Sequence, residues 1–280
     1  MSRPALTGTL FVVATPIGNL SDASPRALEV LRGAHIVACE DTRTTRTLLA
    51  RHGISAATTA LHQHNEGAAA AKLVEALRAG KSVALVSDAG TPALSDPGAL
   101  LVAQAHRAGI RVSPIPGPSA AAAALSAAGF PAGAFFFAGF LPASPAARRK
   151  ALGRLDLPVP VVLYEAPHRI AETLEDLAAR FGPAREVLVG RELTKKFEEV
   201  ARMPLGETRA WLAASPERER GEFVLVLAPG EPREGPALDA DKVLAVLAEA
   251  LPPSEAARLA AKITGVAKRD LYRKTLRAPK

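Results

Sequence analysis

The chain of 280 residues has a single cysteine, Cys39, and only one tryptophan and two methionines. One thiol cannot form an internal disulfide bond, and it cannot supply a thiolate cage for a metal ion. Disulfide-stabilised scaffolds and zinc-finger chemistry are therefore excluded. A lone cysteine is typical of a protein of the reducing cytosol, so we expect a cytoplasmic location.

The sequence also lacks the long apolar runs that cross membranes. The apolar run 10–14 near the N-terminus is too short for the hydrophobic region of a signal peptide, so no export is expected. The uncharged stretch 119–147 is interrupted by glycine and proline and is rich in weakly hydrophobic alanine. We interpret it as a helix, a turn and a strand, and we expect no membrane partner.

The composition that remains is that of a globular protein with an uneven charge. Hydrophobic residues make up 48% of the chain and charged residues 22%, which excludes a disordered chain. The formal net charge is +7, and the segment 262–280 alone carries seven basic residues against one acidic residue. A basic terminal segment indicates a polyanionic partner, although a solvated charged helix end would give the same pattern.

Short β-rich runs alternate with helical patterns through most of the chain, which predicts an α/β fold. The first part has predicted strands at 9–14, 36–39, 83–86 and 110–114, and a mainly parallel sheet is expected there. The second part has predicted strands at 134–138, 159–164, 186–190 and 223–227, with antiparallel pairs. The predicted domains are an N-terminal α/β domain (1–117), a C-terminal α/β domain (118–230), and a linker with a helical module (231–280).

Three helices are predicted in the last segment, at 241–251, 254–264 and 268–277. In the second of them, Ala256, Leu259, Ala260 and Ile263 recur at helical spacing, and Gly265 ends the helix before a basic third helix. This is a helix-turn-helix pattern, which any small helical hairpin can also show.

Ligands of open α/β sheets bind beyond the carboxyl ends of the strands, so the segments after each strand are the candidate sites. The segment 15–20 holds Pro16 and Gly18 but is neither a dinucleotide-binding turn nor a P-loop, which disfavours hydride-transfer enzymes and NTPases. In the loop 87–98, Asp88 is the preferred ligand contact. We interpret Asp96 as a cap for the following helix.

Three more segments carry candidate functional groups. The segment 116–119 places backbone N–H groups at a helix start, which suits a carboxylate or phosphate ligand. The same segment would also serve as a rigid hinge between the two domains. Charged residues follow two predicted strands, at 164–169 and 191–196. They are interpreted either as substrate contacts or as a surface ion-pair network. Two histidines lie in 62–65 without a further ligand set, so no metal is expected.

Seven segments in order carry a resemblance to a known family. Together they resemble the ribosomal RNA small subunit methyltransferase I family, of the tetrapyrrole methylase superfamily, over about residues 8–230 and on through the helical tail. The segments are VVATPIGNLSDASPRALEVLRGAHIVACEDTRTTRTLL, LHQHNE, ALVSDAGTPALSDPG, PIPGPSAAAAALSAAGFP, FAGFLP, YEAPHR and RELTKKFEE.

The resemblance implies 2′-O-ribose methylation of a decoding-centre cytidine of 16S rRNA within the 30S subunit. It further implies S-adenosyl-L-methionine as donor, a donor cleft between the two α/β domains, and a homodimer. Where the tetrapyrrole branch usually has Gly-Asp-Pro, this chain has Gly90-Thr91-Pro92. The implied donor contacts are Pro16, Ile17, Gly18, Asp88, Gly90, Thr91, Pro92, Ala93, Leu94, Ser119 and Ala120.

A methyl group on a sulfonium is already activated, so the enzyme must align it, remove the ribose proton and exclude water. The candidates for the base are Glu165 and His168 first, then Glu40 and Asp41. Two other functions remain open: a tetrapyrrole (precorrin) C-methyltransferase, and a nucleic-acid-binding regulator that uses the C-terminal helices. The expected RNA contacts are Arg148, Arg149, Lys150, Arg169, Lys268, Arg269, Arg273 and Lys274.

Overall fold

A computed structural model describes residues 8–231 and 239–275. The chain forms two compact units, Met1–Pro229 and Gly230–Lys280. Within the two described ranges, no helix is both long enough and apolar enough to span a bilayer. The first unit contains two sheets of five strands each.

The first sheet is parallel throughout, as expected from the alternation of strands and helices, and its order is β3-β2-β4-β1-β5. Successive strand residues face opposite layers: Phe11 packs with α1, and Leu10 packs with α3 and α4. The elements are β1 (Thr9–Val13), α1 (Pro25–Gly33), β2 (Ile36–Cys39), α2 (Thr42–Arg51), β3 (Thr58–Ala60), α3 (Glu66–Arg78), β4 (Val83–Leu85), α4 (Ala99–Arg107) and β5 (Arg111–Ile115).

The second sheet is mixed, with the order β6-β7-β10-β8-β9. Strands β6 and β7 are parallel, and the other neighbours are antiparallel. Its elements are α5 (Ala120–Ala128), β6 (Phe136–Phe140), α6 (Pro145–Leu152), β7 (Val161–Glu165), α7 (Ile170–Phe181), β8 (Glu186–Arg191), β9 (Glu199–Pro204), α8 (Thr208–Ala213) and β10 (Phe223–Leu227).

The two strands that sequence analysis missed lie at sheet edges. Strand β3 has three residues, none of them buried, and pairs with β2. Strand β9 has one buried residue, Met203, among six and pairs with β8. An edge strand is packed on one side only, so it lacks the apolar run that marked the central strands.

The second unit consists of three helices, α9 (Ala240–Ala250), α10 (Pro253–Thr264) and α11 (Lys268–Thr275). Its core is built from Leu244, Ala257 and Leu271 with two further alanines, Ala256 and Ala260. Helix α10 ends at Gly265, whose φ of 75° is the left-handed conformation expected of a helix stop. The last two residues of the predicted third helix lie outside the described residues.

Arg148 on α6 is buried, although it was expected to contact RNA. Its side chain is 2% exposed, its Nε donates to Asp176 at 2.7 Å, and an Nη donates to Glu172 at 3.0 Å. The neighbouring Arg149 is 61% exposed. The expectation of an RNA contact at Arg148 is therefore wrong, because its charge is neutralised inside the packing of α6 on α7.

We expect Arg148→Ala to lower the free energy of unfolding by roughly 3 kcal/mol, because the largely buried Asp176 would keep only the exposed Arg149, at 3.5 Å, as an ion-pair partner. Urea titration of both proteins measures the difference. Arg149→Ala is the matched control and should change the free energy by less than about 1 kcal/mol. Equal effects of the two substitutions would contradict a structural role for Arg148.

Candidate active site

Three loops at the carboxyl end of the first sheet are tied together. Thr15 and Gly90 exchange two backbone hydrogen bonds, of 2.9 and 3.1 Å, and so join the loops after β1 and β4. The Thr91 hydroxyl donates to the carbonyl of Pro118 at 3.3 Å, which adds the loop before α5. Three of the segments chosen from the sequence thus meet at one place.

Gly90 allows the backbone to come close to its neighbours. Its φ is 82°, a conformation that other residues rarely adopt. A Cβ atom added there would lie 3.4 Å from Ile17 Cγ2 and 3.8 Å from the Pro118 carbonyl oxygen. A side chain at this position would fill space at the centre of the three loops.

A loop from the second sheet reaches the segment after β1. Glu192 and Thr194 have φ of 51° and 66°, which is strained for residues with a Cβ. The Asn19 backbone N–H donates to the Thr194 hydroxyl at 3.1 Å. A Cβ on Gly18 would collide with the side chain of Lys195, so this glycine makes room for the loop.

These loops enclose a cavity of about 390 Å³ between the two sheets, called the inter-sheet cavity below. The sequence-predicted donor contacts that line it are Ile17, Asp88, Gly90, Thr91, Leu94, Ser119 and Ala120. The remaining predicted contacts, Pro16, Gly18, Pro92 and Ala93, belong to the same loops but do not line the cavity.

The second sheet contributes aromatic and charged residues to the cavity, from the candidate segments 164–169 and 191–196 and from β6, which was not among the candidate segments. Phe140 and Tyr164 line it, with their ring centroids 5.6 Å apart and their planes at 64°. Lys195 lines it as well and pairs with Glu192 and Glu222, each at 2.8 Å. Phe140 was not chosen as a site residue, because the stretch 134–142 holds no charged side chain.

Glu165, the first candidate base, is held in a structural network. Its side chain has 0% exposed surface, and Arg169 pairs with it at 3.1 Å. The Thr173 hydroxyl donates to it at 2.7 Å. A carboxylate with these partners has no access to a substrate proton, so the structure disfavours the predicted role.

Arg169 was expected to contact RNA, and the structure corrects this expectation. Besides Glu165, it donates to the carbonyl oxygens of Leu141 and Pro142 at 2.8 and 3.2 Å, and its side chain is 15% exposed. The guanidinium therefore fastens the end of β7 to the segment after β6. It has little surface left for a phosphate.

The other three candidate bases lie around the cavity rather than in its lining. His168 is exposed on a short 3-10 helix, Pro167–Arg169. Asp41 caps α2 and pairs with Arg43, which lowers the pKa of Asp41 to about 2 and makes it a weak base. Burial, and then the charge of Asp88, raise the pKa of Glu40.

Asp96 is the residue whose expected role changes most. The N-terminus of α4 is capped by Glu66, whose Oε1 accepts from the N–H groups of Gly98 and Leu100 at 2.9 and 3.0 Å. The interpretation of Asp96 as the cap is therefore wrong. Asp96 lines the inter-sheet cavity, where burial and then the charge of Glu40 raise its pKa to about 6.

The remaining basic residues that were expected to contact RNA are exposed. Lys150 is exposed on α6, beside Arg149. On α11, Lys268, Arg269 and Arg273 are exposed, and Lys274 is exposed while pairing with Asp241 at 2.8 Å. Within the described residues, no group of three or more His, Cys, Asp and Glu side chains is arranged to hold a metal ion.

Comparison with known proteins identifies the family. Residues 9–209 match the family model described as Tetrapyrrole (Corrin/Porphyrin) Methylases, and residues 234–278 match the RsmI C-terminal HTH domain. A protein of Xylella fastidiosa named Ribosomal RNA small subunit methyltransferase I is 50% identical over 97% of this chain and 99% of that protein. The chain belongs to this methyltransferase family.

A further relative agrees with this assignment, and two solved structures share the fold. A Mesorhizobium japonicum protein of the same name is 50% identical over 98% of this chain and 93% of its own length. A diphthine synthase structure has a TM-score of 0.59 at 18% identity, over 79% of this chain and 90% of that chain. A Thermus thermophilus uroporphyrin-III-C-methyltransferase has a TM-score of 0.56 at 23% identity, over 79% and 94%. At these identities the structures show the fold alone, which is the α/β fold expected from the sequence.

The raised pKa of Asp96 has a consequence for stability. A carboxyl group whose pKa is higher in the folded protein than its usual 3.8 destabilises the fold once it ionises. We expect the melting temperature of Asp96→Asn, relative to the parent protein, to rise as the pH is raised from about 4 to about 6 and to level off above that, because the unfolded chain loses this proton at the usual pKa while the folded protein holds it up to about pH 6. Differential scanning calorimetry across this range checks it. A difference in melting temperature between Asp96→Asn and the parent that stays constant across this range would contradict the burial of its charge.

Proposed function

We propose that this protein methylates the ribose 2′-oxygen of a decoding-centre cytidine of 16S rRNA in the 30S subunit, with S-adenosyl-L-methionine as donor. The observation that carries the proposal is the identity of about half of all residues, over nearly the full length, with relatives named for this rRNA activity. The tetrapyrrole methyltransferases share the fold at much lower identity, so they do not favour a second function.

The inter-sheet cavity fits the donor. Its volume of about 390 Å³ is in the range of small-molecule sites. Ile17 and Leu94 supply apolar surface, and Gly90 allows close approach to the backbone. Asp88 brings negative charge, which complements a donor that carries a sulfonium cation. When bound, the donor supplies an activated methyl group.

The second sheet supplies groups suited to a nucleotide. An enzyme that modifies one nucleotide of a folded RNA must take it out of its stack, and an aromatic side chain replaces the lost stacking. Phe140 is 55% exposed and borders Tyr164 at the cavity. Lys195 lies at the same cavity and would face the negatively charged backbone. We assign the donor to the loops of residues 1–117 and the substrate side to residues 118–230.

The C-terminal helices, in the domain 231–280, are proposed to bind the rRNA backbone. The match to a helix-turn-helix domain model and the exposed basic side chains of α11 support this role. Arg149 and Lys150 are proposed as further phosphate contacts. Apolar surface on β6, where Phe136 is 43% exposed beside Phe135 at 49%, supports a homodimer. The site of action is the cytoplasm, where ribosomes assemble.

The function is tested by mass spectrometry of nucleosides from 30S particles incubated with the protein and donor. We expect one 2′-O-methylcytidine per particle, located by fragment mapping to the decoding centre. Methyl transfer to a tetrapyrrole but not to 30S particles would assign the protein to the neighbouring enzyme class. Binding of RNA without donor-dependent methyl incorporation would indicate a regulator.

We expect Gly90→Leu to weaken donor binding at least tenfold, about 1.4 kcal/mol, because its side chain would occupy the centre of the three loops. Isothermal calorimetry with S-adenosylhomocysteine measures the affinity. Gly109→Leu is the matched control, since Gly109 also has positive φ but an added Cβ meets nothing within 4 Å. Unchanged affinity in a folded Gly90→Leu protein would remove the donor from this cavity.

Replacing Lys268, Arg269 and Arg273 by glutamine should weaken binding to 30S particles and flatten the dependence of affinity on salt, because fewer counterions are displaced. Filter binding at several salt concentrations measures both quantities, and donor affinity should not change. Arg209→Gln, which removes an 83% exposed charge on α8, outside the C-terminal helices, serves as the control. An unaltered salt slope in the triple variant would exclude α11 as an RNA contact.

A further inference from the structure

We propose that Asp96 is the general base that accepts the proton of the ribose 2′-hydroxyl. The inference rests on the proposed methylation of ribose. It starts from the carboxylates that line the inter-sheet cavity, which are Asp88, Asp96, Glu165 and Glu222. The four carboxylates differ in the groups that contact their oxygens.

Each of the other three carboxylates accepts from a cation or from a backbone N–H group. Glu165 is fully buried against Arg169 and Thr173. Glu222 is 73% exposed and pairs with Lys195. Asp88 Oδ1 accepts the backbone N–H of Asp41 at 3.0 Å, which fixes its orientation toward β2. Asp96 differs from them because its hydrogen-bonding neighbour is the neutral hydroxyl of Ser87, not a cation or a backbone amide.

The backbone around Asp96 holds its side chain in a fixed place. Ala93 and Ser95 have φ of 66° and 65°, conformations that cost free energy in residues with a Cβ. A Cβ atom added to Gly139 of β6 would lie only 2.7 Å from the Ser95 hydroxyl oxygen. On the other side, a Cβ on Gly98 would collide with Leu85. The loop is thus packed against the second sheet before Asp96 and against the first sheet after it.

The surroundings of Asp96 favour a proton on its carboxylate. Glu40 follows β2 and Asp88 follows β4, and both charges act on Asp96 from neighbouring strand ends. Across the cavity, Tyr164 of β7 faces it as a neutral phenol. Lys195 lines the same cavity with its charge shared between Glu192 and Glu222. A carboxyl group with a pKa of about 6 is ionised at neutral pH, yet it binds a proton more strongly than an ordinary aspartate does.

Methyl transfer and proton transfer together conserve atoms and charge. The ribose 2′-oxygen forms a bond to the methyl carbon while the bond from that carbon to sulfur breaks, and the bonding pair stays on sulfur. The hydroxyl proton passes to Asp96. The positive charge on sulfur and the negative charge on the carboxylate disappear together, leaving a neutral thioether and a neutral carboxylic acid. Release of this proton to water restores the base.

The primary test is the single-turnover methylation of 30S particles by Asp96→Asn. We expect a loss of roughly 100-fold or more in rate, with unchanged affinity for S-adenosylhomocysteine by calorimetry. Glu175→Gln is the control for loss of a carboxylate and should keep the parent rate. A readout that needs no activity comes from the unliganded protein: NMR titration of ¹³C-labelled aspartate should show a carboxyl resonance, absent from Asp96→Asn, that titrates near pH 6.

A second variant tests the proposal even if Asp96→Asn folds poorly. Glu40→Gln removes one of the charges that act on Asp96 while leaving Asp96 in place. We expect the acidic limb of the pH profile of kcat/KM to move to lower pH in this variant. The same limb should be absent from whatever activity Asp96→Asn retains.

The outcomes separate this inference from the proposed function. If the parent protein fails to methylate 30S particles, the proposed function is wrong. If the parent is active and Asp96→Asn is within about tenfold of it, Asp96 is not the base. If Asp96→Asn loses affinity for S-adenosylhomocysteine in step with its rate, Asp96 is a donor contact instead. An acidic limb that stays at the same pH in Glu40→Gln would also overturn the assignment.

Discussion

The pair of backbone hydrogen bonds between Thr15 and Gly90 is the constraint on which the site depends. It joins the loops after β1 and β4, two neighbouring strands of a parallel sheet, in a place where parallel strands ordinarily diverge into separate crossovers. The Thr15 hydroxyl adds a bond to the carbonyl of Ser87 at 3.1 Å. The segment 91–98 continues from these joined loops and brings Leu94 and Asp96 to the cavity.

The fold was largely predictable because its signals are local. Buried strands such as β8 and β10 are continuous apolar runs, and helices such as α1 and α5 carry Ser24 and Ser119 as caps. The exceptions, β3 and β9, are edge strands whose pairing depends on a distant neighbour rather than on their own residues.

The candidate site was predictable only as a set of loops. Strand ends predicted which loops would be candidates, and the loops after β1 and β4 do meet, because the carboxyl edge of a parallel sheet is a single place. The roles of individual charges were not predictable. Arg148 and Arg149 are adjacent in the sequence, yet one is buried in ion pairs and the other is exposed. Glu165 sits at a strand end like a catalytic residue, but Thr173, eight residues later, and Arg169 satisfy its carboxylate.

The cap that Glu66 provides to α4 links two positions that are far apart in the sequence. Because Glu66 at the start of α3 accepts from the N–H groups of Gly98 and Leu100, Asp96 is not needed as the cap of α4. A chain that lost Glu66 would offer those amides to Asp96, in competition with the cavity. The effect of a substitution at position 66 therefore depends on which residue stands at position 96. This epistatic coupling passes through the N-terminus of α4 and not through the cavity lining.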